Sequence, residues 1–333
     1  MTTLFISDAE VVALADWELA IAAIRRSYSV PAAPGQAPRR TTARTAGAWL
    51  RSLTAVSPAD GVMGGKVIAA SARSGSMRVS YLISLFDDST VELVALLDAN
   101  SITGLRTAAT SAVAADCLAP QRALRVAVLG SGFEARKHLA ALMHVREVAE
   151  CQVFSPRDES RRAFVEHFAE GSGLVVGPTK TPEDAVHGAD LVICAARAHG
   201  ERPTLMAKWL APGTTVVSIG STMPEQREVD TSVIGRATLI VADVVDEVVE
   251  ETGDFIAAVA DGQQFGNGGT RVWPLEELVC GTVAPARSGN GITLYKSVGS
   301  GQQDVAVAAA LYARALERGV GTPLPVSIAP VAK

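Results

Sequence analysis

The stretch LRVAVLGSGFEA, residues 124–135, decides the fold class. An apolar run leads directly into a G-x-G-x-x-A turn, and the turn opens into a helical pattern. In that setting Gly130 permits a tight turn, Gly132 lets the backbone approach a pyrophosphate, and Ala135 allows the helix to pack closely on the strand. A pyrophosphate would lie at the helix N-terminus, where unpaired amide groups favour an anion. We therefore predict a Rossmann dinucleotide site. The cofactor-binding residues predicted in this turn are Gly130, Ser131, Gly132, Phe133 and Ala135.

Apolar and helical segments alternate along the chain after this turn. Because strand–helix alternation builds βαβ units, it predicts a parallel sheet covered by helices on both faces. The helices are expected at 133–144 and 159–168, and the strands at 124–130, 150–155, 190–196, 214–220 and 237–243.

The residues before this region follow a different pattern. Ser7 and Glu10 form a capping box, and apolar residues continue at helical spacing as far as Ile24, which predicts a helix. Three later segments are rich in strand-forming residues and are separated by polar turns, which predicts an antiparallel or mixed sheet. Those segments are 62–71, 78–87 and 91–98, and further helices are expected at 106–118 and 304–318.

Length and composition exclude several classes of protein. At 333 residues the chain is long enough for two domains. The formal net charge of -5 gives no basic surface for nucleic acid, and no apolar stretch approaches the roughly 20 residues of a membrane helix. The first residues lack a basic segment typical of a secretory signal, and the four cysteines and five histidines lack metal-ligand spacing. We therefore expect a cytoplasmic protein without a metal site.

The end of the second predicted Rossmann strand bears on the choice between NAD and NADP. An acidic residue there accepts the ribose 2′-hydroxyl, whereas small polar and basic residues suit a 2′-phosphate. Ser155 and Arg157 occupy this position, and Asp158 lies three residues beyond the expected acidic site. The pattern favours NADP, with NAD possible. Arg161 and Arg162 follow closely and either contribute to the same preference or form a solvated helix face.

Two cations before the Rossmann segment are candidates for substrate binding. Lys66 interrupts an apolar strand, which by itself is more typical of an edge or solvent-facing position. Arg106 is expected at the start of an Ala-rich helix, where a cation opposes the helix dipole and calls for an anionic partner. A substrate carboxylate held by the planar guanidinium is one such partner.

Five segments together resemble the ornithine cyclodeaminase/mu-crystallin family, and the resemblance extends over nearly the whole chain. These segments are GGKVIAAS, LLDANSITGLRTAATSAVAA, VAVLGSGFEARKHL, SIGSTMPEQREVD and ITLYKSVGSGQQDVAVA. The resemblance implies a homodimer. It also implies an α/β fold with two domains. Residues 120–302 form a Rossmann dinucleotide-binding domain. Residues 1–119 form a smaller α+β substrate-binding and dimerisation domain, to which the C-terminal helix segment, 303–333, also belongs.

The resemblance also implies roles for single residues. Lys66 matches an active-site lysine of the family, and Arg106 matches a residue that binds the substrate carboxylate. An N-terminal arginine has a similar role in the family; Arg40 is the nearest match, with Arg39 or Arg44 as alternatives. Two further matches lie in segments that line the nucleotide and substrate pocket, and these are Thr107 and Ser297.

Two positions depart from the family pattern. Cyclodeaminases have an aspartate where this chain has Thr222, and a threonine cannot act as a carboxylate base. Mu-crystallin, a ketimine reductase, also has a hydroxyl residue there, so we expect Thr222 to be a substrate-binding residue of a reductase. Lys296 is the second departure, and a cation there would favour an acidic substrate.

These observations predict an NAD(P)-dependent oxidoreductase acting on CH–NH or CH–NH2 groups. The expected substrate is a small imino acid, such as pyrroline-2-carboxylate or piperideine-2-carboxylate, or the amino acid in the reverse direction. In this hypothesis Lys66 is the catalytic residue, and it also binds substrate together with Arg40 and Arg106. The alternatives are an open-chain dehydrogenase of the alanine or opine type, an ornithine cyclodeaminase, and a non-catalytic NADPH-dependent ligand binder.

Overall fold

The structure is a computed structural model that describes residues 2–73, 75–196, 202–266, 268–285, 291–325, 328, 330 and 331. The described helices are α1 (Asp8–Leu14), α2 (Trp17–Ser27), α3 (Asn100–Leu118), α4 (Phe133–Met143), α5 (Asp158–Ser172), α6 (Pro182–Val186), α7 (Thr231–Arg236), α8 (Val245–Glu251), α9 (Gly253–Ala260), α10 (Leu275–Val279) and α11 (Gly301–Arg318). The described strands are β1 (Leu4–Ile6), β2 (Thr41–Thr45), β3 (Ala48–Ser57), β4 (Val62–Ser71), β5 (Arg78–Asp87), β6 (Leu93–Asp98), β7 (Leu124–Leu129), β8 (Val148–Phe154), β9 (Val176–Pro178), β10 (Leu191–Cys194), β11 (Thr215–Ser218), β12 (Ala237–Ala242), β13 (Val272–Pro274), β14 (Ile292–Lys296) and β15 (Thr322–Pro323).

The chain divides into two compact units. The first unit contains residues 1–110 and 299–333, and the second contains residues 111–298. The division falls inside α3. Each unit is built around one sheet, and the α/β fold class predicted from the sequence is confirmed.

The first unit has a seven-stranded mixed sheet in the order β15-β1-β6-β5-β4-β3-β2. Neighbouring strands are antiparallel except β1 and β6, which are parallel. Helix α11 packs against β3, β4 and β5 and against α2, so the C-terminal helix covers one face of this sheet.

The start of the first unit corrects one prediction. The Ser7–Glu10 capping box is present as predicted. The helix that it begins ends at Leu14, however, and a second helix begins after Asp16, whose side chain accepts a hydrogen bond from the Leu19 amide. Asp16 is thus a helix cap, which breaks the single helix expected as far as Ile24.

Helix α3 corrects a second prediction. It begins at Asn100, so Arg106 lies in its second turn and does not open the helix. The dipole argument for an anionic partner therefore does not apply, because the dipole acts mainly within the first turn. Arg106 nevertheless has an anionic partner, because the packing of α11 brings Asp304 to it.

The second unit has an eight-stranded sheet in the order β13-β12-β14-β11-β10-β7-β8-β9. Every strand pair in it is parallel, as predicted from the strand–helix alternation. The sequence did not predict β14, which lies between β11 and β12. Across the described part of the chain, no helix combines the length and apolar character that a bilayer crossing requires.

Candidate functional site

A buried carboxylate in the first unit joins the two cations identified from the sequence. Asp304 Oδ1 accepts a hydrogen bond from Lys66 Nζ at 2.7 Å and another from Arg106 Nε at 2.9 Å. The three side chains are almost completely buried. Lys66 lies on β4, a strand flanked by β3 and β5, so the edge or solvent-facing interpretation of this lysine is wrong.

Further contacts hold the Arg106 guanidinium. Its Nη1 donates to Gln303 Oε1 at 2.7 Å, and Gln303 Nε2 in turn donates to the hydroxyl of Tyr28 at 3.1 Å. A guanidinium has five N–H donors, and these contacts use two of them. Three donors on Nη1 and Nη2 therefore remain for an anion.

Arg40 lies close to the same cluster. Its Nη2 donates to the carbonyl of Gly299 at 2.9 Å, and its charge helps to lower the pKa of Lys66. Gly299 has φ +83°, and a Cβ there would lie 2.4 Å from Arg106 Nη1. Lys66 and Arg106 thus share the single carboxylate of Asp304, which leaves one positive charge of this buried group uncompensated and suited to an anion.

Close packing at the start of α11 brings Asp304 to Lys66. A Cβ on Gly301 would lie 2.4 Å from the carbonyl oxygen of Thr54 on β3, so only glycine permits this approach of helix to strand. The Ser300 hydroxyl accepts from the Gln303 amide and caps the helix. Asp304 follows in the first turn, where the helix dipole stabilises its charge.

The surroundings of Lys66 change its protonation. Burial, together with the charge of Arg106, lowers the pKa of Lys66 from 10.5 to about 8, although Asp304 acts in the opposite direction. Lys66 is therefore suited to exchanging a proton near neutral pH.

The predicted glycine turn of the second unit lies between β7 and α4. Gly130 has φ +115°, and a Cβ there would lie 2.7 Å from the Ala195 carbonyl oxygen, so both conformation and space require glycine. Gly132 is the N-cap of α4, and nothing lies within 4 Å of the position of its missing Cβ. Ala135 is fully buried, as expected for the helix–strand contact.

A cavity of about 1050 Å³ opens at this turn. It is lined from three neighbouring strand ends, because β8, β7 and β10 are adjacent in the sheet. Its lining includes Gly130, Ser131, Gly132, Phe133, Ser155 and Arg157. The turn, the open space at Gly132 and the cavity fit a dinucleotide at the carboxyl edge of the sheet.

The three arginines after β8 differ in their contacts. Arg161 donates to the Ser155 carbonyl at 2.5 Å and to Asp158, and Arg162 pairs with Asp158 at 2.8 Å. Arg157 is exposed and lines the cavity, and its guanidinium makes no hydrogen bond or ion pair to another described residue. Of the three, Arg157 is therefore the cation available to a ligand.

The other predicted site residues make hydrogen bonds within the protein. The Thr107 hydroxyl donates to the Thr103 carbonyl within α3, in the first unit. The Ser297 hydroxyl donates to Asp243 at 2.7 Å in the second unit. Thr222 is half-buried, and its amide donates to Gln226 Oε1 at 3.1 Å.

The second unit also contains a buried polar network that the sequence did not reveal. Glu228 accepts from the amides of Ala196 and Gly220, each at 2.9 Å, and from the Ser218 hydroxyl at 2.7 Å. Lys296 Nζ donates to Asp254 at 2.8 Å and to Ser218 at 2.9 Å. Burial raises the pKa of Glu228 from 4.5 to about 7.

This network changes the interpretation of Lys296. Its ammonium is fully buried and bonded to Asp254 and Ser218, so the expectation that it attracts an acidic substrate is not supported. Glu228 instead fastens the loops after β10 and β11, and the second of these loops carries Thr222. Within the described ranges, no three His, Cys, Asp or Glu side chains are grouped closely enough to hold a metal ion.

A Rossmann sheet with a glycine turn in one unit of the chain, and a cluster of Lys66 with two arginines in the other, are features of the class of NAD(P)-linked oxidoreductases. The chain belongs to the ornithine cyclodeaminase/mu-crystallin family, whose model matches residues 43–319.

Named relatives and solved structures agree with this family. A Δ1-pyrroline-2-carboxylate reductase of Bacillus cereus is 29% identical over 255 residues, which cover 77% of each chain. The structure of the Thermococcus litoralis Δ1-pyrroline-2-carboxylate reductase with NADH and L-proline superposes with a TM-score of 0.85 at 26% identity, covering 97% of this chain and 100% of that one. An archaeal alanine dehydrogenase dimer with bound NAD superposes with a TM-score of 0.86 at 26% identity, covering 97% and 99%.

Proposed function

We propose that this protein reduces a carboxylate-bearing imine with NADPH or NADH, or oxidises the corresponding amino acid. The observation that carries the proposal is the buried cluster of Lys66, Arg106 and Asp304, with Arg40 beside it. A buried excess of positive charge is costly unless an anion accompanies it. A substrate carboxylate supplies that anion.

Each side chain of the cluster has a distinct role in this proposal. Arg106 offers its remaining Nη donors to the carboxylate, and Arg40 adds a second cation. Asp304 and Gln303 hold the guanidinium in one orientation, which fixes how the substrate is presented.

Lys66 exchanges the proton at the substrate nitrogen. Its ammonium donates to Asp304 and lies 3.5 Å from the Thr103 hydroxyl, which leaves a hydrogen for the substrate. Its lowered pKa eases release of that proton near pH 8. The reduced nicotinamide, when bound, supplies the hydride for the C=N carbon.

The comparisons support a cyclic imino acid as the first substrate to test. Two of the proteins described above are Δ1-pyrroline-2-carboxylate reductases, and one of them was solved with NADH and L-proline. Pyrroline-2-carboxylate and piperideine-2-carboxylate are therefore our first candidates. The likeness to an alanine dehydrogenase supports an open-chain amino acid as the second.

NADPH is the proposed preferred cofactor. Ser155 and Arg157 line the cavity after β8, and the Arg157 guanidinium is exposed without a partner among the described residues. A 2′-phosphate would supply that partner. Asp158, the nearest acidic residue, is already paired with Arg161 and Arg162.

We also propose a homodimer formed through the first unit. The sheet face opposite Lys66 carries exposed apolar residues among serines and a threonine, and strand register places several of them in pairs: Leu50 beside Ala69, Val67 beside Leu82, and Val56 beside Met63. Exposed apolar residues grouped on one sheet face are typical of an interface. The dimeric archaeal alanine dehydrogenase supports a second copy of the chain as the partner.

A screen of dinucleotide oxidation tests the proposed function. The purified protein is given NADPH or NADH with pyrroline-2-carboxylate, with piperideine-2-carboxylate, or with 2-oxo acids and ammonia or amines. We expect stoichiometric oxidation with a cyclic imino acid. Oxidation only with 2-oxo acids and ammonia or amines would identify an open-chain dehydrogenase, and dinucleotide binding without oxidation would identify a ligand binder.

Ornithine separates the reductase from a cyclodeaminase. A cyclodeaminase recycles its NAD and has no net redox change. Because Thr222 supplies no carboxylate, we expect neither proline nor ammonia from ornithine with a catalytic amount of NAD. Formation of both products would overturn the proposed reaction class.

A further inference from the structure

Two buried donor groups line the dinucleotide cavity without an acceptor in the described part of the chain. Arg136 on α4 and Trp209, in the short 3-10 turn Ala207–Trp209, both line it. Arg136 Nε and Trp209 Nε1 are buried and have no hydrogen-bond partner among the described residues. Because an unpaired buried donor is costly, these groups indicate that an acceptor completes the cavity.

The geometry of α4 directs Arg136 towards the glycine turn. Arg136 is the fourth residue of this helix, and the burial of Ala135 and Leu139 fixes the rotation of the helix against the sheet. Helical side chains slope towards the N-terminus of their helix. We therefore expect the Arg136 side chain, which lines the same cavity as Gly132, to reach towards the first amides of α4, where a pyrophosphate would lie.

The charges around the cavity favour an anion. Its lining includes Arg136, Arg157 and Arg202 against Glu134 and Glu159. No ion pair joins Arg136 to another described residue, whereas Glu134 Oε2 lies 3.6 Å from His138 Nδ1, a contact that is an ion pair only when the imidazole is protonated. The Arg136 charge is thus left for a ligand.

We propose that Arg136 binds the pyrophosphate of the dinucleotide, and that Arg157 reads the 2′-phosphate. The proposal rests on the dinucleotide site of the proposed function and divides its phosphate recognition between two arginines. Arg136 would bind what NADH, NADPH and ADP share, and so would set affinity without affecting the choice between cofactors. Arg157, beyond β8, would set that choice.

Nucleotide titrations of three variants test this division. Arg136→Gln, Arg157→Gln and the control Arg122→Gln each remove one positive charge from the second unit. Arg122 is exposed, lies just before β7 at the opposite end of that strand from the glycine turn, and pairs with Asp190. Dissociation constants for NADPH, NADH and ADP are measured at one ionic strength, after circular dichroism has shown that each variant is folded.

We expect Arg136→Gln to weaken NADPH, NADH and ADP by the same factor, about 10- to 100-fold, as for a lost charge-assisted hydrogen bond. The NADPH/NADH preference should stay at the wild-type value. Arg157→Gln should lower that preference with little effect on NADH and ADP, and Arg122→Gln should change none of the three constants.

Three results would overturn the proposal. Wild-type constants in Arg136→Gln would remove this residue from the site. If Arg136→Gln changed the NADPH/NADH preference as much as Arg157→Gln does, Arg136 would be assigned to the 2′-phosphate. If Arg122→Gln lost as much nucleotide affinity as Arg136→Gln, the loss would be explained by net charge alone. Wild-type protein that bound no nucleotide at all would instead refute the underlying proposed function.

Discussion

Lys66 Nζ lies 2.7 Å from Asp304 Oδ1, although 238 residues separate the two in the chain. The ion pair joins the middle of the first unit's sheet to the first turn of its last helix. Asp304 shares the same oxygen with Arg106, so a single carboxylate orients the proposed proton donor and the proposed carboxylate-binding group. Asp304 is therefore a positioning residue for both.

The lowered pKa of Lys66 predicts opposite pH dependences for the two directions of the reaction. Reduction requires the ammonium as donor, so kcat for reduction should fall as the pH rises through about 8. Oxidation of the amino acid requires the neutral amine, so its rate should rise through the same pH. Steady-state kinetics in both directions provide the measurement.

Lys66→Ala should keep nucleotide binding and lose about 10²- to 10⁴-fold in turnover. Full activity of this variant would refute the role of Lys66.

Asp304→Asn should move the pH dependence of the residual activity towards lower pH. The carboxylate favours the charged form of Lys66, so its removal lowers the pKa of Lys66 further. Removing one partner of a buried ion pair also destabilises a protein by about 3–5 kcal/mol, so thermal unfolding should occur earlier. The pH–rate profile is measured at a temperature at which circular dichroism shows the variant folded. An unmoved pH limb would contradict the positioning role, since a purely structural residue would change stability alone.

Arg106→Lys should behave as a nonconservative substitution. Lysine retains the charge but lacks the planar set of donors that meets both Asp304 and Gln303 while leaving Nη groups for the substrate. We expect kcat/KM for the imino acid to fall about tenfold or more. Unchanged kinetics would exclude Arg106 from the substrate site. Nucleotide affinity, measured in parallel, provides the control for correct folding.

Arg157→Glu should reverse the cofactor preference. The carboxylate would repel a 2′-phosphate and could accept the 2′-hydroxyl of NADH. We expect loss of NADPH affinity by about 1.5–3 kcal/mol, as for a lost charge-assisted hydrogen bond. Fluorescence titration with both reduced dinucleotides measures the change. Tighter binding of NADH than of NADPH by the wild type would show the proposed preference to be wrong.

Leu82→Asp should dissociate the proposed homodimer. Leu82 is 41% exposed on the apolar sheet face, beside Val67. Val79→Asp is the matched control, because Val79 lies on the same strand, is 40% exposed, and by register with Ala70 belongs to the opposite face. Light scattering after size-exclusion chromatography should give the mass of a monomer for Leu82→Asp and the mass of a dimer for Val79→Asp. A monomeric wild type would refute the dimer.

The sequence predicted the parts of the fold that depend on local patterns. The turn at Gly130–Ala135 follows from residues that are adjacent in the chain, because a tight βα turn and its helix N-terminus are local structures. The Ser7–Glu10 capping box and the parallel sheet of the second unit were predicted for the same reason, and both are present. The strand β14 was missed, because its short apolar segment carries no signal of its place between β11 and β12.

The chemical environment of the candidate site was decided by the tertiary structure. The sequence identified Lys66 and Arg106, but the local pattern alone favoured an edge or solvent-facing position for Lys66 and a helix start for Arg106. Packing of α11 on β3, made possible by the close approach at Gly301, supplies the shared partner Asp304. Pairing of buried charges depends on which distant segments meet, and the burial that lowers the pKa of Lys66 exists only once they have met. The residue types were thus determined by the sequence, and their partners and protonation by the packing of the chain.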